Sequence, residues 1–139
     1  MKNLVKISAS LILTVALVFC LVACGNNATS ADDPWANATY TEDTAFGNGA
    51  TTFKMVVKVN DNSVTFTVNT DKDTVGAALS EHNLVEATDG MYTKVNGITA
   101  DYNVDQSYWA FYVNDGYANE GMDTTKIEKD TTYKLEYTK

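Results

Sequence analysis

The fold is decided mainly by the stretch Tyr108-Trp109-Ala110-Phe111-Tyr112-Val113-Asn114-Asp115-Gly116-Tyr117. Its first six residues have the alternation of a β-strand, in which successive side chains point to opposite faces. Trp109, Phe111 and Val113 then share one face, while Tyr108 and Tyr112 lie on the other. The Asn-Asp-Gly that follows predicts a turn, because glycine accepts a positive φ without steric cost. We therefore predict a strand with one face in the core and a second face that is available for binding.

Short strands are predicted on both sides of this stretch. Residues Met91–Val95 precede Asn96-Gly97, a dipeptide that strongly favours a hairpin, and Ile98 begins the returning strand. Residues 101–106 are polar and predict a loop. A last strand is predicted over residues 131–138, where aromatic and aliphatic side chains alternate with polar ones.

A β-hairpin is predicted at the start of the folded domain. Residues 53–59 and 64–68 both alternate between apolar and polar side chains, and the Asn-Asp-Asn-Ser between them is typical of a turn. The period then changes, because Val75, Ala78 and Leu79 have the spacing of one helical face, with Asp73 or Thr74 as the N-cap. This short helix is predicted to end near residue 83. The pattern indicates an α+β, mostly β fold with one short helix packed on a sheet.

The N-terminus is typical of an export signal. Lys2 and Lys6 precede an apolar run over residues 11–22, which is short for a membrane-spanning helix. The run ends in Leu-Val-Ala-Cys-Gly, which resembles the lipobox of bacterial lipoproteins, with Cys24 as the lipidated residue. We therefore predict a signal peptide over residues 1–23, and a protein anchored by lipid to the extracytoplasmic face of the cell membrane. Residues 24–50 are rich in small polar residues and predict a flexible linker, so the folded domain spans residues 51–139.

Charge excludes two classes of partner. The chain has 139 residues, a net charge of −8 and no arginine. Nucleic-acid binding needs basic patches that neutralise phosphates, and anionic lipid surfaces repel an acidic chain. The sequence therefore predicts no nucleic-acid partner, and contact with the membrane through the lipid anchor alone.

Catalytic and metal-binding motifs are missing from the sequence. His82 is the one histidine, and no nucleophile motif, zinc motif or glycine-rich phosphate loop is present. Nothing in the spacing of the eighteen acidic residues selects a catalytic pair. We therefore expect no catalytic residues, no metal site and no enzymatic activity. His82 is expected to be a helix-capping or surface residue, and a role as a metal ligand is the alternative for it.

A family resemblance rests on five segments in a fixed order. They are residues 73–79 (Asp-Thr-Val-Gly-Ala-Ala-Leu), 95–98 (Val-Asn-Gly-Ile), 108–114 (Tyr-Trp-Ala-Phe-Tyr-Val-Asn), Gly121 and 133–137 (Tyr-Lys-Leu-Glu-Tyr). Together they resemble the transcobalamin-like C-terminal domain, also called DUF4430, over residues 51–139. The resemblance implies a β-grasp-like fold of the soluble-ligand-binding type.

The resemblance also implies a ligand. In the animal cobalamin carriers the equivalent domain closes over one face of a corrinoid, so cobalamin or a related corrinoid is the implied ligand, with no resident cofactor. The predicted ligand-binding residues are Tyr108, Trp109, Tyr112, Asn114 and Tyr117. Those carriers also have a large helical barrel that this chain cannot build. A partner protein, or an importer that receives the corrinoid, is therefore expected to complete the site.

Two alternatives remain open at this stage. Trp109 and Phe111 also suit ordinary packing in the core, and the tyrosines suit ordinary cross-strand pairing. The alternative function is a cell-surface module that contacts a protein or a glycan and has no small-molecule ligand.

Overall fold

A six-stranded mixed sheet is the largest element of the computed structural model, which describes residues 33–139. The predicted signal peptide and Cys24 lie outside the described residues. After a short 3-10 helix (Pro34–Asn37), the elements are β1 (Thr44–Phe46), β2 (Thr51–Val59), β3 (Asn62–Thr70), α1 (Val75–Glu81), β4 (Val85–Thr88), β5 (Met91–Val95), β6 (Ile98–Thr99), α2 (Tyr102–Asp105), β7 (Tyr108–Val113), β8 (Gly116–Tyr117) and β9 (Thr132–Thr138).

The strand order of the large sheet is β1-β3-β2-β9-β7-β8. The β2–β3 hairpin is antiparallel, as predicted, and β9 pairs in parallel with β2. The predicted aromatic strand, β7, pairs antiparallel with β9, and β8 returns beside it. The chain's last strand therefore lies in the middle of the sheet and joins the hairpin to the aromatic strand.

One face of this sheet forms the core. The register places Met55 opposite Phe66 on one side and Tyr133 on the other, and all three side chains are buried. Further along, Phe111 lies opposite Leu135. We call the opposite side of the sheet the outer face; it carries Tyr112, Tyr117 and Lys134, among others. The alternation in the sequence thus separates a packed face from a solvated one.

The predicted helix is confirmed as α1, which packs on the core face. Thr74 is the N-cap, and its Oγ1 accepts a hydrogen bond from the backbone N–H of Ala77 at 3.4 Å. Val75, Ala78 and Leu79 are buried, which matches the predicted apolar side of the helix. The helix ends at Glu81, slightly before the predicted end.

A second, three-stranded sheet has the order β4-β5-β6 and shares the same core. The predicted hairpin is confirmed, because Asn96 and Gly97 form its turn with φ values of 50° and 81°. The polar segment after β6, predicted as a loop, contains the one-turn helix α2. The small sheet and α2 lie beside the start of β7. Together the elements confirm an α+β, mostly β fold, in agreement with the predicted β-grasp-like arrangement of a hairpin, a helix and further strands.

The structure differs from the sequence prediction over residues 33–50, which were expected to be part of a flexible linker. Strand β1 pairs in parallel with β3, and Phe46 packs against Phe66 with ring centroids 5.6 Å apart. Tyr40 packs edge-on against Phe46 at 5.3 Å. Tyr40 enters the core from irregular backbone and Phe46 from a three-residue strand, so their spacing in the sequence has no strand or helix period.

Asn96 ties this N-terminal segment to the small sheet. Its side chain accepts a hydrogen bond from the Tyr40 N–H at 2.9 Å and donates one to the Tyr40 carbonyl at 2.8 Å. Its own carbonyl accepts from the Thr39 N–H at 2.8 Å. Because Asn96 is buried, these bonds satisfy polar groups that would otherwise be costly to desolvate. No helix within residues 33–139 is long and apolar enough to cross a membrane.

Candidate functional site

A cleft of about 360 Å³ opens between the small sheet, α2 and the first residue of β7. Met91 and Tyr92 of β5 line one wall, Tyr102 of α2 lines the other, and Tyr108 of β7 lies at the junction. We call this feature the tyrosine cleft. Its volume is within the range of small-molecule sites, roughly 300–1,000 Å³.

Exposed apolar side chains concentrate at this cleft. Among residues 33–139, five large hydrophobic side chains are exposed, and three of them line it: Met91 (68% exposed), Tyr102 (65%) and Tyr108 (39%). A fourth, Val104, lies on α2 beside it. Large apolar side chains left in water in one place mark a binding surface more often than scattered ones do. The arrangement can hold a flat, apolar molecule against the exposed rings of Tyr102 and Tyr108, because a tyrosine combines an apolar ring with a hydroxyl that can form hydrogen bonds.

Acids and hydroxyls surround the apolar lining. Asp89, Asp101 and Asn103 lie at the rim, together with hydroxyl groups of neighbouring threonines. The Thr88 and Thr93 hydroxyls are 3.1 Å apart and bond to one another. These groups offer hydrogen-bond acceptors and donors to a ligand, while the apolar side chains of the cleft supply contact area.

The α2 wall is held by a network around its ends. The Asp101 carboxylate caps the helix by accepting from the Asn103 N–H at 2.9 Å, and the Asp101 N–H donates to Ser107 Oγ at 3.0 Å. Gln106 then closes the turn with a φ of 63°. The network fixes the direction in which α2 presents Tyr102 to the cleft.

Asp105 anchors the other end of α2. Both the hydroxyl and the backbone N–H of Ser107 donate to its Oδ1, and Lys139 Nζ lies 2.9 Å from its Oδ2. The hydrogen bond from the Ser107 hydroxyl, followed by that from Lys139, lowers the pKa of the Asp105 carboxyl to about 2. The group is therefore charged at neutral pH and holds its donors in place.

The β5 wall has its own tie to the rest of the domain. The Tyr92 hydroxyl donates a short hydrogen bond to the Asp123 carboxylate, which links β5 to the loop before β9. Burial, and then this bond, raise the pKa of Tyr92 to about 12. Tyr92 thus serves the cleft as a fixed wall.

The predicted ligand-binding residues lie in three places. Tyr108 lines the tyrosine cleft. Trp109 is only 9% exposed and packs edge-on against Tyr137 on the core side, with ring centroids 5.5 Å apart. Its indole Nε1 is buried and has no hydrogen-bond partner among the described residues. Trp109 therefore contributes to the core beneath the sheet, and Tyr108 is the member of the predicted set at the cleft.

The other three predicted residues lie at the far end of β7. Tyr112 and Tyr117 pair edge-on across β7 and β8 on the outer face, with ring centroids 5.4 Å apart. Lys134 Nζ lies 4.3 Å from the centre of the Tyr112 ring, a cation–π contact. Asn114 is in the turn, where its φ is 46° and its Oδ1 accepts from the Thr132 N–H at 3.4 Å. These residues form a surface separate from the cleft.

Sequence reasoning missed Met91, Tyr92 and Tyr102. Met91 and Tyr92 were treated only as hairpin strand, and Tyr102 lies in the segment predicted as a polar loop. Tyr102 could have been noticed as an aromatic residue in an otherwise polar stretch. A large apolar side chain in such a segment usually contacts the rest of the protein or a ligand.

His82 lies at the C-terminal end of α1 and does not line the tyrosine cleft. The His82 ring stacks on Phe46 at 5.4 Å, as the C-cap of α1, and its Nε2 is buried without a partner among the described residues. Within residues 33–139, no group of three or more His, Cys, Asp and Glu side chains could hold a metal ion.

A larger cavity, of about 580 Å³, lies near the end of β9. Polar residues such as Asp33, Asn60 and Glu136 line much of it, and it has none of the exposed large hydrophobic side chains described above. Volume alone does not indicate a ligand. The tyrosine cleft is the stronger candidate because its apolar rings would gain from being covered.

Solved structures of other proteins share this fold. A proposed metal-binding protein from Ruminococcus gnavus ATCC 29149 is 23% identical with a TM-score of 0.60, and the match covers 64% of this chain and 97% of that one. Haptocorrin in complex with Cbi is 12% identical with a TM-score of 0.54, and the match covers 68% of this chain and 26% of haptocorrin. At these identities the likeness shows the fold alone. No curated protein matches the sequence.

The sequence itself gives one family match. It begins just before α1 and includes α2, β7 and β9, and therefore both walls of the tyrosine cleft. It leaves out the β2–β3 hairpin and the N-terminal segment. Residues 72–139 match the family described as domain of unknown function (DUF4430), which agrees with the predicted transcobalamin-like resemblance.

Proposed function

We propose that this protein is a binding module that holds a flat, largely apolar small molecule of the corrinoid class in the tyrosine cleft. The observation that carries the proposal is the convergence of Met91, Tyr102 and Tyr108, all exposed, on one cleft. A planar ring laid on these side chains would remove their apolar surface from water, which is favourable by roughly 25 cal/mol per Å².

The likeness to haptocorrin supports the choice of ligand class. That protein was crystallised with Cbi, a cobinamide, and it shares its fold with this chain over a quarter of its own length. A corrinoid would be larger than the cleft, so the module would contact one face or one edge of the ring. We therefore propose that a partner protein or an importer completes the site.

A titration tests the ligand class directly. Dicyanocobinamide and cyanocobalamin would be added to the purified protein, and both heat and the visible absorption of the corrinoid would be followed. Saturable binding with a 1:1 stoichiometry and a spectral shift is the expected result. If neither compound binds up to the high micromolar range, the corrinoid proposal is wrong.

The outer face supports a second candidate, a module that contacts a protein or a glycan. Tyr117 is 64% exposed beside Tyr112, at the edge of the sheet. On this alternative, Tyr112→Ala and Tyr117→Ala would abolish capture of a macromolecular partner, and added corrinoid would leave that capture unchanged. If only Tyr108→Ala lost capture of the partner, the tyrosine cleft would be the contact surface instead of the outer face.

We further propose that the protein acts by binding and has no catalytic activity of its own. Two titratable groups near the cleft hold structure in the described residues, because Asp105 anchors α2 and Tyr92 bonds to Asp123. Incubation with a bound corrinoid should return it chemically unchanged. A new product on a chromatogram would overturn this part of the proposal.

Export and lipid anchoring belong to the same proposal. Their support is the apolar run before Cys24 and the lipobox-like Leu-Val-Ala-Cys-Gly, both in residues outside the described structure. Cys24→Ser should prevent incorporation of labelled fatty acid and release the protein from the membrane fraction. A variant that remains membrane-bound and labelled would contradict it.

A further inference from the structure

The lining of the tyrosine cleft has one sign of charge. Asp89 and Asp101 are exposed carboxylates at its rim, and the residues that line it include no lysine and no histidine. The other lining groups are neutral hydroxyls, an amide and apolar side chains. A ligand in this cleft would therefore meet two negative charges and no positive one from the lining.

The neighbouring lysines are engaged elsewhere. Lys94 of β5 lies opposite Glu86 of β4, and its Nζ is 2.8 Å from the Glu86 carboxylate. Lys139 is paired with Asp105 at the end of α2. Because both lysines are paired with acids, neither supplies a positive charge to the cleft that could balance an acidic ligand.

We infer that the tyrosine cleft selects ring ligands whose periphery carries neutral or cationic hydrogen-bond donors, such as amides or amines, and rejects rings that carry carboxylate or phosphate groups. This inference rests on the proposed function of the same cleft. Amide N–H groups at the edge of a ring can donate to Asp89 and Asp101, and bonds to a charged acceptor are stronger than neutral ones. Carboxylates at the ring edge would instead be repelled by the carboxylates of Asp89 and Asp101, in a site that is partly shielded from water.

A pair of ligands that share one macrocycle tests this selection. Dicyanocobinamide carries amides around its corrin ring, and dicyanocobyrinic acid carries carboxylates at the corresponding positions. Titrations of each into the purified protein should give at least about tenfold tighter binding of the amide form at low salt. The ratio should shrink at about 0.15 M ionic strength, because screening weakens exposed like-charge repulsion.

Two substitutions assign the selection to the rim. In Asp89→Asn and Asp101→Asn, the acid form should gain affinity relative to the amide form. Both changes suit the backbone, because Asn tolerates the positive φ of 52° at Asp89 and caps a helix as well as the Asp at 101 does. Asp115→Asn, in the β7–β8 turn, removes the same charge away from the cleft and should leave the ratio unchanged.

The outcomes separate the inference from the proposed function. Equal binding of the two forms, or tighter binding of the acid, overturns the charge selection and leaves the cleft as a corrinoid site. Binding of neither form overturns the proposed function and the inference with it. If the ratio of the affinities for the two forms changes equally in Asp115→Asn and Asp101→Asn, the preference arises from the net charge of the protein and not from the rim carboxylates.

Discussion

The hydroxyl of Ser107 donates a hydrogen bond to the carboxylate of Asp105, two residues earlier, and so closes the turn between α2 and β7. The same carboxylate pairs with Lys139 at 2.9 Å, so it joins the cleft wall to the end of β9. One acid therefore links the element that carries Tyr102 to the middle of the sheet. Its ionisation is expected to affect the stability of the domain.

Stability should fall in acid through Asp105. Its pKa is lowered from an ordinary value near 3.9 in the unfolded chain to about 2 in the folded protein. A lowered folded pKa gives stabilisation that is complete above the unfolded value and is lost as the pH falls toward the folded one. Asp105→Asn should therefore unfold at a lower temperature than the wild type at pH 7, and the difference should shrink between about pH 4 and pH 2.

Thermal unfolding at a series of pH values measures this effect. Glu136 also has a lowered pKa, through Lys58 first, and it would add to the acid dependence of both proteins. Only the difference between wild type and Asp105→Asn isolates Asp105. Curves that stay parallel between about pH 4 and pH 2 would mean that the carboxylate does not hold α2 in the way described.

Trp109→Ala should destabilise the fold strongly. The ring is buried against Tyr137 on the core side of the sheet, and removal of a buried aromatic side chain costs about 3–5 kcal/mol. Tyr117→Ala is the matched control on an exposed edge strand and should change stability by less than about 1 kcal/mol. Urea unfolding followed by circular dichroism compares the two. Equal midpoints would contradict the placement of Trp109 in the core.

Phe46→Ala should also destabilise the protein, by about 2 kcal/mol, because the partly buried Phe46 ring packs against the core. Ala45→Ser changes the neighbouring exposed residue and should have little effect. A flexible linker would tolerate both changes equally. Identical unfolding curves for the two variants would therefore restore the linker boundary predicted from the sequence.

Gly97 and Gly90 allow steric contact to be separated from backbone strain. Both have a positive φ, 81° and 80°, so alanine is strained at each. A Cβ at Gly97 would also lie 2.7 Å from the Asn37 carbonyl and would collide with the Thr39 hydroxyl, whereas Gly90 faces open space. Gly97→Ala should be less stable than Gly90→Ala by about 1–3 kcal/mol. Equal losses in chemical denaturation would mean that residues 37–39 do not pack on this turn.

The sequence predicted the regular elements well because their periods are local. The β2–β3 hairpin, α1 and the Asn96-Gly97 turn each follow from side-chain alternation, helical spacing or turn chemistry within a few residues. The parallel pairing of β2 with β9 was not predicted, because partners some eighty residues apart leave no local pattern. The packing of Phe46 was missed for the same reason: its contacts are with distant residues.

The candidate site was predicted only in part. Alternation correctly separated Trp109 from Tyr108, but it could not show that Tyr108 lies at a cleft while Tyr112 lies at the other end of the same strand. Met91 and Tyr102 join Tyr108 only because the small sheet and α2 fold beside β7. Such a site is a property of the tertiary arrangement, and each of its walls comes from a different segment.

The central claim, that the tyrosine cleft binds a corrinoid-type ring, is tested most directly by titrating dicyanocobinamide into three proteins: the wild type, Tyr108→Ala and Tyr117→Ala. Each variant removes one exposed tyrosine, from β7 or from the neighbouring β8, but only Tyr108 lines the cleft. We predict that Tyr108→Ala weakens binding about tenfold, a loss of about 1.4 kcal/mol, while Tyr117→Ala binds as the wild type does. Equal affinity in wild type and Tyr108→Ala, or a loss confined to Tyr117→Ala, would contradict the claim.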